Sequence, residues 1–415
     1  MEIFDIAIIG GGPSGMMAAL TAAKNKAKVV LIEKNNILGR KLLATGNGRC
    51  NITNCIIELD NYHGSTPEFV LPVFDQFNQN DSINFFKSIN VLLKEEDRGR
   101  MFPTSNQAET VTQALSNELI AAKVLVRLNS CVKSITPNGL WQIDLEDKST
   151  IKAKIIILTT GGKAAHHFGS SGDGLFWSKN LSHTIVPIFG SLVPIETVET
   201  WPKKVQGIKI NAKVRAFYKD VLIAEKEGDL LFTHYGLSGP AIMGISRFIA
   251  DLVLDSLHKV KIQIDLLPNI SHSKLLENIN QIFQNNGSKS IINNLQGVLP
   301  TNLISQALSD AEININKKSA EASRQERLRI VQSLKLFPAT VDKLLPLKEA
   351  QVTRGGICVT EVDNLSLASK LVPNLYFAGE ILDLDADSGG YNLQWAWSSG
   401  YVAGLHASSI KMARS

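Results

Sequence analysis

The 415-residue sequence is short of cysteine, proline, net charge and long apolar runs. Four cysteines, Cys50, Cys55, Cys131 and Cys358, do not make a disulfide scaffold. No signal-peptide pattern precedes a first strand that begins almost at Met1, so the expected setting is the reducing cytoplasm, with free thiols. No apolar run approaches the roughly 20 residues that span a bilayer, and no membrane partner is expected. Fourteen prolines against thirty glycines favour tight loops over linkers. The 43 Lys+Arg against 39 Asp+Glu leave a net charge of +4, which permits an RNA or phosphate-rich partner without demanding one. Repeats and low-complexity tracts are absent. A hydrophobic share of 44% and a charged share of 20% are those of a globular chain, which excludes disordered and collagen-like classes. The length suggests two or three domains.

What is present is a nucleotide-domain pattern at both ends. Residues 3–9, Ile-Phe-Asp-Ile-Ala-Ile-Ile, read as a buried parallel strand, because such strands are near-continuous apolar runs. Gly10-Gly11-Gly12-Pro13-Ser14-Gly15 follows, then a helix from Met16 to Ala23, then a second strand, Lys28 to Glu33. This is one βαβ unit. Further buried strands are Ile155 to Leu158, closed by Thr159-Thr160-Gly161-Gly162, and Leu375 to Ala378, closed by Gly379-Glu380. The latter leads through Gly389-Gly390-Tyr391-Asn392 into a helix ending near His406. The stretch between lacks these signals and reads as an insertion, part β and part α.

Gly10, Gly12 and Gly15 fit G-x-G-x-x-G after a strand and at the start of a helix. The first allows the tight turn, the second lets backbone approach a pyrophosphate, and the third permits close helix–strand packing. The helix N-terminus presents its positive dipole end to the phosphates. Glu33 stands where an acid binds a ribose hydroxyl pair, and its charge disfavours a 2′-phosphate. The expected ligand is therefore FAD or NAD. FAD is favoured by the N-terminal fingerprint, by the long loop carrying Gly39-Arg40-Lys41, and by the distant strand ending in Ala-Gly-Glu.

The chain resembles the BaiN/RdsA (YhiN-like) family of bacterial NAD(P)/FAD-dependent oxidoreductases over essentially its whole length. The resemblance is carried by Gly10–Gly15, by Gly39-Arg40-Lys41 through Thr45-Gly46-Asn47-Gly48-Arg49-Cys50-Asn51-Ile52-Thr53-Asn54, and by Thr160-Gly161-Gly162-Lys163. It continues in Gly169-Ser170-Ser171-Gly172-Asp173-Gly174, Thr233-His234-Tyr235-Gly236-Leu237-Ser238-Gly239-Pro240, and Tyr376–Glu380 with Gly389–Gln394. It implies an α/β fold: a Rossmann-like, glutathione-reductase-type FAD-binding domain over 1–190 and 350–415. An inserted substrate-side domain spans 191–349, β-barrel-like over about 191–270 and helical over about 271–335.

The resemblance also implies FAD contacts from Gly10, Gly12, Pro13, Ser14 and Gly15, and from Glu33 and Lys34. Others come from Arg40, Lys41, Thr45, Gly46, Asn47, Gly48 and Arg49, and from Val132. The last groups are Thr160, Gly161 and Gly162, and Gly379, Glu380, Gly390, Tyr391, Asn392 and Leu393. Arg40 is expected on a phosphate or the ribityl chain, Glu380 on a ribityl hydroxyl, and the helix start at Gly390–Asn392 on negative charge at the flavin. Asn392 also reads as a helix cap. No metal is expected.

Two residues stand as catalytic candidates. Cys50, beside Arg49, is either an acid with a lowered pKa or a small buried residue filling space. His234 is either a substrate-side acid or base, or part of a glycine-shaped turn. The leading function is a reductase of an electron-poor C=C bond, fed by transient NAD(P)H, with an unsaturated ketone or a uridine of 23S rRNA as substrate. Lys317, Lys318, Arg324, Arg327 and Arg329 fit an RNA partner and equally a solvated helix face. Alternatives are an oxidase of a small amine or ketone such as an aminoacetone-like substrate, a disulfide reductase using Cys50 and Cys55, and a non-enzymatic role with structural FAD. The sequence leaves the oligomeric state open.

Overall fold

The computed structural model describes residues 2–254 and 258–409. They form two compact units, Met1–Phe189 with Gln351–Ser415, and Gly190–Ala350.

In the first unit the apolar strand Ile3–Ile9 lies at the centre of a seven-stranded sheet. It pairs in parallel with Val29–Ile32 on one side and with Thr150–Leu158 on the other. Leu125–Arg127 adds a further parallel strand beyond Val29–Ile32. The nine-residue strand Thr150–Leu158 serves two more neighbours on its other edge. Its first half pairs antiparallel with Leu140–Leu145, and its second half runs parallel with Leu375–Phe377. The chain thus returns to the central sheet after the insertion. Ile6, Ile8, Val30, Leu31, Ile156 and Ile157 are fully buried, which accounts for the unbroken apolar runs.

The helix Pro13–Lys24 follows the first strand, and proline early in its first turn sacrifices no hydrogen bond. The C-terminal helix Tyr391–Ser409 packs against it. Small residues make the approach possible. A Cβ on Gly404 would sit 2.5 Å from the carbonyl oxygen of Ala18, and one on Gly400 would collide with that of Ser14.

The second unit contains a closed six-stranded barrel. Its strands are Ile195–Thr197, Lys209–Tyr218, Val221–Phe232, Gly236–Ser238, Lys261–Asp265 and Phe337–Leu344. Lys209–Tyr218 buries Ala212, Val214 and Ala216 on alternate positions, as a half-buried strand should. The helical segment, including His272–Asn285, Thr301–Asp310 and Arg324–Lys335, precedes the last strand. That strand, Phe337–Leu344, pairs with both Lys261–Asp265 and Ile195–Thr197 and so closes the barrel. Its proline and charged residues weaken the strand pattern in the sequence.

Candidate functional site

The glycine loop is fixed by packing at two positions and open at the third. Gly10 has φ +111, and a Cβ there would lie 2.5 Å from the carbonyl oxygen of Thr159. A Cβ on Gly15 would collide with the carbonyl of Gly10. Gly12 has φ −77, and no atom lies within 4 Å of the position its Cβ would take. The loop is therefore pressed onto the sheet while its Gly12 face opens to space at a helix N-terminus. Pro13 and Ser14 begin that helix, and Ser14 Oγ is 2.5 Å from where a Cβ on Gly379 would stand. The expected loops thus meet.

Glu33 is buried, with 8% of its surface exposed. Gly11 N–H donates to its Oε2 at 2.6 Å, and Asn35 donates to Oε1 from the backbone at 2.8 Å and the side chain at 2.7 Å. The acid clasps its own glycine loop. Arg40 donates to Asn35 Oδ1 at 3.0 Å on the exposed side of this turn. In this arrangement its guanidinium serves the turn. Lys34 donates to Ser171 and to Asp173, the latter at 2.9 Å. Burial opposes ionisation of Asp173, but the Ser171 hydroxyl and the Lys34 ammonium hold its carboxyl below the usual range. Beside them is a cavity of about 370 Å³ lined by Val132, Lys133, Lys163, Phe176 and Trp177 among others.

Lys41 and Glu380 form an ion pair at 2.7 Å, each about three-quarters buried. The other carboxylate oxygen of Glu380 accepts Thr353 N–H at 2.8 Å. Thr353 Oγ1 in turn accepts Lys163 N–H and Ala164 N–H, both at 2.9 Å. Gly161 has φ +70, and a Cβ on Gly162 would run into the Thr353 side chain. Gly162 is thus a glycine because of Thr353.

Between Thr45 and Cys50 the chain makes a left-handed excursion, with Gly46, Asn47, Gly48 and Cys50 at φ 57, 56, 81 and 60. Cys50 N–H closes it onto Thr45 O at 3.0 Å. Arg49 turns to Glu96 and to Asn106, and its guanidinium lies 4.1 Å from the Phe102 ring centroid. Cys50 is fully buried, and burial pushes its thiol up to about 12. Of the two readings of Cys50, this burial fits the space-filling one, with the neighbouring Arg49 guanidinium turned to Glu96 and Asn106. All four cysteines are free, and Cys55 Sγ lies 3.3 Å from Met101 Sδ.

The start of the C-terminal helix is held by side chains. Asn392 Oδ1 accepts Ala386 N–H at 2.9 Å, and its amide donates to Ala386 O and Asp387 O. Tyr62 OH donates to Tyr391 O at 3.1 Å. Gly390, at φ 102, has no room for a Cβ because Thr53 O would be 2.5 Å away. Leu393 packs against the core. Asn392 thus ties the preceding turn to the helix.

The site fits a dinucleotide cofactor. The Gly12 face is open, a cavity flanks the Lys34 end, and two buried acceptors on expected motifs, Thr160 Oγ1 and Asn51 Oδ1, have no partner among the described residues. Among the described residues no group of three His, Cys, Asp or Glu is arranged to hold a metal.

His234 lies in the second unit, exposed, in a turn shaped by Thr233 and Gly236. Its ring meets Tyr235 edge-on, with centroids 4.9 Å apart. Lys317 is paired with Glu326 at 2.8 Å, and Arg327 donates to Ala322 O and Asn280. These two cations of the basic run are engaged within the fold. Sequence reasoning missed Asn35 and Thr353. The signal for Thr353 was Thr353-Arg354-Gly355-Gly356, where the chain returns from the insertion; a Cβ on Gly355, at φ 85, would collide with Pro187 O.

The family described as HI0933-like protein Rossmann domain matches residues 4–406. The chain is 33% identical over 404 residues to the 3-dehydro-bile acid delta(4,6)-reductase of Clostridium scindens, covering 97% of this chain and 98% of that protein. It is 29% identical over 407 residues to the ribosomal RNA dihydrouridine synthase of Escherichia coli, covering 97% of each. Among solved structures, the 3-ketosteroid delta1-dehydrogenase of Sterolibacterium denitrificans shares the fold. Its TM-score is 0.53 at 11% identity, covering 99% of this chain and 100% of that one. With a family match over residues 4–406 and a relative 33% identical over 404 residues, the chain belongs to the HI0933-like Rossmann family.

Proposed function

We propose that this oxidoreductase saturates a carbon–carbon double bond polarised by a carbonyl group, with electrons from NAD(P)H. The observation that carries the reading is the full-length likeness to two proteins whose names both describe hydrogenation of such a bond. FAD, when bound, supplies the two-electron chemistry that such a reduction requires.

The chain's own residues bind and orient. The Gly12 face and the N–H groups opening the helix Pro13–Lys24 offer an anion site for a pyrophosphate. Glu33 offers its carboxylate to a ribose while holding Gly11. Lys34, Val132 and the adjoining cavity take the adenosine end. The Thr45–Cys50 excursion presents backbone at close range, and Cys50 stays a neutral, space-filling thiol. Lys41 and Glu380 offer charge and hydrogen bonds along the cofactor's sugar chain. The first N–H groups of Tyr391–Ser409 favour an anionic group in front of Gly390–Asn392. His234 stays a candidate proton donor on the insertion, and the free thiols suit the cytoplasm.

The substrate is either an unsaturated ketone or a uridine in ribosomal RNA. The internal engagement of Lys317 and Arg327 removes part of the basic run as an argument for RNA. The test incubates the FAD-loaded protein anaerobically with NADPH or NADH and, in separate runs, a 4-en-3-one steroid or ribosomal RNA lacking dihydrouridine. A product heavier by two hydrogens is expected from one of them, and none from either would overturn the reading.

A further inference from the structure

We propose that Thr353 is a positioning residue that locks the cofactor cradle together, an inference that rests on the cofactor reading above. Thr353 is buried, with 1% of its surface exposed, and it ties together three other segments distant in sequence. Its N–H holds Glu380, Glu380 holds Lys41, and its hydroxyl accepts Lys163 and Ala164 N–H. Each of these segments carries residues assigned above to the cofactor.

The loop after Thr150–Leu158 needs such a partner. Thr159 N–H still bonds to Ile9 O at 2.9 Å, but residues 160–164 leave the sheet, and Gly162 and Ala164 are nonetheless buried. Two consecutive backbone N–H groups there find their acceptor in one hydroxyl. A buried donor left without an acceptor bears the full desolvation cost. The Thr353 side chain also fills the space that a Cβ on Gly162 would need, so it seats the glycine pair from behind. On its other side, the two bonds to Glu380 fix the orientation of that carboxylate. Loss of the hydroxyl frees the Gly161–Gly162 loop while leaving the N–H bond to Glu380 in place.

The test compares Thr353→Val, which keeps shape but removes the acceptor, with Thr353→Ser, which keeps it. Apo-protein of each is titrated with FAD, following flavin fluorescence, and the visible circular dichroism of the bound flavin is recorded. Thr353→Val should weaken FAD binding about tenfold, the equivalent of about 1.4 kcal/mol, and alter the dichroism. Thr353→Ser should bind within about twofold of the parent with the parent spectrum, because the acceptor is retained. Thr353→Ala, which buries no new methyl against the amides, should lose affinity as the valine variant does, and it serves if the valine variant does not fold. The proposal is overturned if the valine and alanine variants bind FAD as the parent does, or if the serine variant loses as much as they do. A parent protein that binds no FAD would instead sink the cofactor reading itself.

Discussion

Replacing Gly12 with aspartate should abolish FAD binding and leave the fold intact. Gly12 is the N-cap of the helix Pro13–Lys24, with φ −77 and ψ −176, an extended conformation that any residue adopts. No atom lies within 4 Å of its Cβ position, so the new side chain meets open space. Aspartate is a favoured N-cap, worth a few tenths of a kcal/mol over glycine, so the apo-protein should melt at the same temperature or slightly higher. The carboxylate would, however, occupy the face assigned to the pyrophosphate. Two like charges about 4 Å apart at an effective dielectric near 20 repel by about 4 kcal/mol, or roughly a thousandfold in Kd. Gly12→Asn has the same shape without the charge and should lose much less. The assay is an FAD titration of apo-protein, with a thermal melt of each variant as control. Near-parental affinity in Gly12→Asp, or a melt several degrees lower, would refute the placement of the pyrophosphate.

Gly15→Ala should behave in the opposite way. Its Cβ collides with the Gly10 carbonyl, so apo-protein stability should fall by about 1–3 kcal/mol in a denaturant titration, whatever happens to FAD. Burial holds the His183 imidazole below its ordinary 6.5, against the pull of Glu361. The native state then prefers neutral His183, and its contribution is full above 6.5 and lost as pH falls. Melts from about pH 7.5 down to about 5.5 should drop more steeply for the parent than for His183→Gln, and parallel curves would count against this. In the second unit, bonds from Lys317 and Ser323 hold the Glu326 carboxyl at about 2, against an ordinary 4.5. Its stabilisation is present above 4.5 and lost between 4.5 and about 2, so Lys317→Met should reduce the acid sensitivity of melting in that window.

The parts legible in the sequence are those that local pattern decides. The strand Ile3–Ile9 announces itself because both its faces are buried, and Gly10 and Gly15 because packing leaves no space for a Cβ. The return strand Leu375–Phe377 and the helix after it carry the same marks. What sequence could not reveal is decided by partners far along the chain. Arg40 reads as a ligand of a phosphate or the ribityl chain and Arg49 as a further cofactor contact, but Asn35 engages the first, and Glu96 and Asn106 the second. Arg49 stands next to Cys50, yet the thiol is buried and the guanidinium lies against Phe102. Thr353 is one threonine before Arg-Gly-Gly until residues 163, 164 and 380 arrive beside it. The strand Phe337–Leu344 likewise gains its meaning only by closing a barrel begun at Ile195.

The central claim is that this protein takes electrons from a nicotinamide and passes them to a double bond. An anaerobic titration of the FAD-loaded protein with NADPH, and in parallel with NADH, tests it most directly. The account predicts that the visible flavin band bleaches rapidly with at least one of them, and that a substrate carrying the double bond restores it. A band that stays unchanged with both would contradict the account, and would direct attention to an oxidase that draws its electrons from an amine or ketone.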